Sequence, residues 1–121
     1  MTSIVNYFTA ADMLALAADY PIGPAFLARF TVMSRDELRA LQEARFRTLV
    51  ARAWQIPFYQ RHWGAKGIEP CDIVGLSDID KLPPFDKSDI MASIEAHPPF
   101  GDFHGMALYP PGERPPVVVH T

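Results

Sequence analysis

The side chains able to do chemistry in this chain are four histidines (62, 97, 104 and 120), one cysteine (Cys71), the pair Lys87-Ser88 and the aromatic run Phe58, Tyr59 and Trp63. A structural zinc site needs four donors, most often paired at short spacing. The histidines stand in unrelated contexts and Cys71 is the sole thiol, so the spacing predicts no metal site. His97, Asp102 and His104 could bring two imidazoles and a carboxylate together. A solvated loop with local hydrogen bonds is the preferred reading, because short matches of this kind arise by accident. Lys87 and Ser88 are neighbours at a helix start and diverge, so they do not form a nucleophile and its base, and Lys87 reads as a surface lysine. Phe58, Tyr59 and Trp63 have the spacing of core aromatics. Gly64 and Gly67 lack the strand–glycine–helix order that cradles phosphate. The residues by themselves therefore predict no catalytic constellation.

The elements that would position these groups are mostly helical. Thr9 and Asp12 have capping-box spacing, and an Ala/Leu-rich helix is expected over 10–19, stopped by Pro21. Gly23-Pro24 restarts a short helix through Phe30. Ser34 and Glu37 form a capping box, with Met33 and Leu38 at the staple positions. A helix from about 35 to 55 follows, with Leu38, Leu41, Phe46, Leu49, Val50 and Ala53 as one broad apolar stripe. Pro57 ends it and opens PFYQRHW, which Gly64 is expected to close in a left-handed cap.

Beyond Trp63 the texture changes. Gly64 to Gly75 reads as a loop, and Ser77 as the cap of a helical turn. Pro83-Pro84 removes two backbone donors and fixes an extended strap that Leu82 and Phe85 must pin. Asp86 caps a helix to about Ala96, and His97-Pro98-Pro99 stops it. From 98 to 116 the chain holds six of its twelve prolines and three of its seven glycines, which predicts a long irregular segment. Val117-Val118-Val119 then reads as one short strand with no pairing mate in the chain. The expected fold class is mainly α, with a Pro-rich loop and that single terminal β-strand. Three regions are expected: a helical extension at 1–33, a helical subdomain with the strap at 34–97, and a loop with first strand at 98–121.

The composition is globular: 121 residues, 49% hydrophobic and 21% charged, with mean hydropathy +0.01. A net charge of −3 and pI near 5.7 argue against a nucleic-acid binder. Six arginines against three acids between Ser34 and Trp63 are followed by three lysines against seven acids between Lys66 and Glu95. Two segments lying against each other, or two solvated faces, explain this better than a basic partner site. No apolar run reaches membrane-spanning length and no leader is legible, so no membrane partner and a cytoplasmic location are expected. The lone Cys71 suits a reducing compartment.

Taken in order, LQEARFRTLVARAWQIPFYQRHWGAKGIEP, DIVGLSDIDKLPPFDKSDI and the closing VVVHT resemble the amino-terminal part of phenylacetate–coenzyme A ligase and its adenylate-forming relatives. Each piece is weak, and their order and spacing carry the resemblance, which covers 38–121. It implies an α/β parent enzyme that uses ATP, Mg and coenzyme A. Such an enzyme activates an aryl or arylacetic carboxylate as an acyl-adenylate, then passes the acyl group to the thiol. It also implies that the terminal strand runs into a Ser/Thr/Gly-rich phosphate loop. His120 and Thr121 would then flank that loop, and they are the only cofactor-binding positions carried over; no catalytic residue is.

Two readings follow. One is an amino-terminal fragment of an AMP-forming acyl-coenzyme A ligase, structural and inactive alone, whose partner is the rest of its own chain. The other is a stand-alone helical interaction or oligomerisation module. An in-frame glycine/threonine-rich loop downstream of Thr121 favours the first and a stop codon the second. Under either, exposed apolar surface on the Ser34 helix and the valine strand predicts self-association.

Overall fold

The structure is a computed structural model, and it describes residues 10–105 and Leu108. Every regular element among the described residues is helical. The expected strand at 117–119 lies outside them, as do the Thr9 cap and the Pro-rich stretch beyond Leu108. The chain divides into two units, Leu41–Leu108 and the residues flanking it.

In the flanking unit, α1 (Ala10–Asp19) and α2 (Pro24–Phe30) form where the capping and proline signals place them. Gly23 sits at φ 60, a conformation that favours glycine, and hands the chain to Pro24 at the first helical position. Arg29 spans back to the Ala18 carbonyl at 3.2 Å. α3 (Arg35–Ala53) opens on the reciprocal capping box: the Ser34 amide donates to Glu37 Oε2 at 2.7 Å and the Glu37 amide to Ser34 Oγ at 3.1 Å. The Ser34 amide, and after it the Ser34 side chain, hold the Glu37 carboxyl below its ordinary range.

Within Leu41–Leu108 the core is small. Val50, Ile56, Phe58, Trp63 and Ile73 are the buried apolar residues and Ser93 the buried polar one. The stripe expected along α3 is narrower than its sequence pattern. Val50 is buried and Leu41, Phe46 and Ala53 are half-buried, while Leu38 and Leu49 stay exposed. Helix α3 also stops earlier than expected, at Ala53. Ile56 must be extended ahead of Pro57 (φ −95, ψ 124), and Trp54 and Gln55 make the turn into it.

α4 (Pro57–Gly64) carries Phe58 and Trp63 inward. Its closure differs from expectation: Ala65 is right-handed, and the left-handed turn falls at Gly67, φ 77. A second difference concerns Ser77. The 3₁₀ turn Leu76–Lys81 starts from Gly75, and Asp78 receives the Val74 and Gly75 amides at 2.9 and 3.2 Å. Both amides meet the same oxygen of an ionised carboxylate, and such charge-assisted bonds are stronger than those a neutral serine hydroxyl accepts. Together with Lys81, these bonds draw the Asp78 pKa down to about 2, Lys81 being the main cause. The turn is tied to α3 by Glu43, whose Oε2 accepts the Leu76 amide at 3.0 Å.

α5 (Lys87–Ala96) begins as the sequence predicts. Asp86 Oδ1 accepts the Ser88 and Asp89 amides at 2.9 and 3.2 Å, and Asp89 returns to the Asp86 amide at 2.9 Å. Two ion pairs involve the basic and acidic segments, which were expected either to lie against each other or to solvate two faces. Lys81 pairs with Asp78 inside the acidic run, and Arg61 reaches past that run to Asp102.

Candidate functional site

The densest polar arrangement in Leu41–Leu108 centres on Asp102, in the loop after α5. Arg61, the fifth residue of α4, grips its carboxylate with two nitrogens, at 2.6 and 3.1 Å. Ser93, 2% exposed on the inner face of α5, donates its hydroxyl to Asp102 Oδ1 at 2.6 Å and accepts the Asp102 amide at 2.9 Å. The Asp102 carbonyl accepts from the Phe58 amide at 3.4 Å. One loop residue therefore ties α4 and α5 together through backbone and side chain. The Arg61 bond, then the Ser93 hydroxyl, hold the Asp102 carboxyl at a pKa of about 2 against the opposing effect of burial.

The loop reaches this geometry through Gly101. Its φ is +75, and a Cβ there would lie 2.6 Å from Ser93 Oγ and 2.9 Å from the Phe103 ring. The Gly101 amide donates to the His97 carbonyl at 2.8 Å, which closes the turn off α5.

The aromatic residues of α4 form a wall beside this knot. Phe58 meets Phe85 edge-on at 5.2 Å and Phe103 at 6.2 Å, and His62 stacks on it at 5.6 Å. His62 Nε2 lies 2.8 Å from the Pro84 carbonyl. A carbonyl only accepts, so that nitrogen carries the hydrogen. The proline strap is thus held by His62 through its backbone and by Phe85 through ring contacts. Phe85 is a partial anchor, still 43% exposed.

The sequence-selected groups separate as follows. His97 Nε2 comes within 3.6 Å of Asp102 Oδ2. His104 contacts the Phe103 ring edge, at 6.3 Å between ring centroids. Ser88 donates to Asp86 Oδ1 at 2.6 Å as part of the cap, and Lys87 is exposed on α5. Phe58 and Trp63 are core residues. His120 and Thr121 lie outside the described residues. Among those described, no three His, Cys, Asp or Glu side chains are grouped to hold a metal. Arg61 and Ser93 were not legible as Asp102's partners, since they lie 41 and 9 residues away without a spacing rule.

Chemically this arrangement fastens; it does not activate. A nucleophilic serine needs a base on its hydroxyl and access to substrate. Ser93 donates its hydrogen bond to a carboxylate already paired with Arg61, and it is buried.

No family model matches the chain. Curated relatives do. Over 72 residues, 59% of this chain, it is 39% identical to phenylacetate-coenzyme A ligase of Thermus thermophilus. Over 81 residues, 66% of this chain, it is 37% identical to the enzyme of that name from Aromatoleum evansii. The chain is phenylacetate–coenzyme A ligase-like. It spans 15% and 18% of the length of those two ligases. Backbone comparison points the same way. A structure of 2-hydroxyisobutyryl-CoA ligase with 2-HIB-AMP and CoA in the thioesterification state matches 71% of this chain and 19% of its own, with TM-score 0.59 and 30% identity. The same ligase in the postadenylation state matches 60% of this chain and 16% of its own, with TM-score 0.55 and 34% identity. The described residues are mainly helical, and the solved structures they resemble are those of a CoA ligase. No helix among the described residues is long and apolar enough to cross a membrane.

Proposed function

We propose that this chain supplies the amino-terminal helical scaffold of an AMP-forming acyl-coenzyme A ligase and has no ligase activity alone. The observation that carries this reading is the joint match in sequence and backbone to 2-hydroxyisobutyryl-CoA ligase, a structure whose bound groups are 2-HIB-AMP and CoA. The whole ligase would join a carboxylic acid to ATP as an acyl-adenylate, releasing pyrophosphate, and then move the acyl group to the thiol of coenzyme A. ATP, Mg and coenzyme A belong to that whole enzyme. An aryl or arylacetic acid is the substrate class, from the ligases this chain matches. The Asp102 knot and the His62–Pro84 bond would serve by fixing α4, the strap and α5 as one block.

A graft tests this. Residues 41–108 replace the aligned segment of the Thermus thermophilus ligase, and phenylacetate-dependent pyrophosphate release is measured. A working chimaera supports the scaffold reading; a folded but inactive one counts against it. The 121-residue chain with ATP, Mg, phenylacetate and coenzyme A should release no pyrophosphate above blank, and release would overturn the claim of inactivity.

A further inference from the structure

Helix α5 carries two charges set against its own dipole. Lys87 is its first residue and Glu95 its last but one, and its last turn contains no base. Helices favour acids at the start and bases at the end. Among the described residues neither Lys87 nor Glu95 enters an ion pair. Lys87, Met91 and Glu95 recur every four positions and so form one stripe. All three are exposed, Met91 at 54%. Ser88 and Ala92 lie alongside, and with Ile94 these residues border a shallow open depression. Asp89 stands two positions from Lys87, on the other side of the helix, where it caps Asp86.

We propose that this stripe is a self-association surface whose occupant is α5 of a second copy, antiparallel about a two-fold axis through Met91. Reversal about Met91 exchanges positions 87 and 95. Lys87 then faces the partner's Glu95 at one end, and the pair repeats at the other, as an isologous interface requires. Antiparallel axes also bring Lys87 to the negative end of the opposing helix and Glu95 to its positive end, which relieves both misplaced charges. A parallel pairing would set like charges together. Ser88 and Ala92 are small enough for close approach, and the flexible Met91 fills what remains. A ten-residue helix offers only about 15 Å of contact, so the pairing is weak and salt-sensitive. The inference does not depend on the ligase reading.

Sedimentation equilibrium of the 121-residue chain tests it, with Lys87→Glu, Glu95→Lys and the doubly reversed variant compared at low and high salt. Wild type should associate in the micromolar range, more weakly as salt rises. Each single reversal should weaken association about tenfold or more, and the double reversal should recover part of that loss, because its ion pairs re-form while its charges now oppose the partner's dipole. Both residues are exposed, so circular dichroism should be unchanged throughout. A monomeric wild type, single variants that associate as well as wild type, or a double variant that fails to recover would each overturn the proposal.

Discussion

Arg61 and Asp102, 41 residues apart in sequence, meet in a two-pronged ion pair of 2.6 and 3.1 Å that locks the loop after α5 onto α4. Asp102 is 11% exposed on its side chain, so the pair is part-desolvated on one side only.

Acid should loosen the knot. The folded-state pKa of Asp102, about 2, lies below the ordinary carboxylate value, so the folded chain binds its proton later than the unfolded one. Its contribution is full above about pH 4 and is lost as pH falls toward about 2. Discounted for the half-exposed Arg61, it is on the order of 1–2 kcal/mol. Urea midpoints measured across this window should fall less steeply for Asp102→Asn than for wild type. Asp78, also near pKa 2, acts in the same direction and remains in both proteins.

Ser93→Ala should cost about 1–3 kcal/mol, because it strands the Asp102 amide and removes a donor from a buried site. Ser93→Thr keeps the hydroxyl but must fit a methyl where Ser93 is 2% exposed, so it should rescue only in part. Chemical denaturation of both variants checks the order. Equal stability of Ser93→Ala and wild type would remove the knot from the account.

Gly101→Ala combines a left-handed backbone with a Cβ 2.6 Å from Ser93 Oγ and 2.9 Å from the Phe103 ring. A loss of about 1–3 kcal/mol is expected from the backbone alone, with the collision added to it. Gly67→Ala is the control: its φ is +77 but nothing lies within 4 Å of the new Cβ. It should cost less, and thermal melts of the two variants compare them directly.

His62 donates to the Pro84 carbonyl and so ties the strap to α4. His62→Phe keeps the stack on Phe58 and loses the bond, while His62→Ala loses both. Near-UV circular dichroism of the aromatic wall should fade in the order wild type, Phe, Ala. A His62→Phe spectrum identical to that of wild type would contradict this role for the bond.

Ser34→Ala removes one half of the capping box that starts α3. The amide of Glu37 should exchange about fivefold faster, the effect of a typical cap, while the amides of α5 keep their rates.

The local signals in the sequence were strong enough to stand unaided. Ser34 with Glu37, Asp86 with Asp89, and the prolines at 24 and 57 each act within one turn of chain, and each appears in the structure at its expected place. The order of short motifs likewise carried the ligase likeness, since a shared sequence needs no folding to be read. Contacts across the chain were another matter. Asp102 was noticed beside two histidines, yet its partners proved to be Arg61 and Ser93, and only the placement of α4 against the loop after α5 selects them. The same holds for the left-handed turn, which fell at Gly67 instead of Gly64, and for the apolar stripe of α3, of which packing buried Val50 and left Leu49 outside. Capping and proline geometry are decided by neighbours a few bonds away. Pairing of charges and burial are decided by which surfaces meet, and that is set by the packed fold.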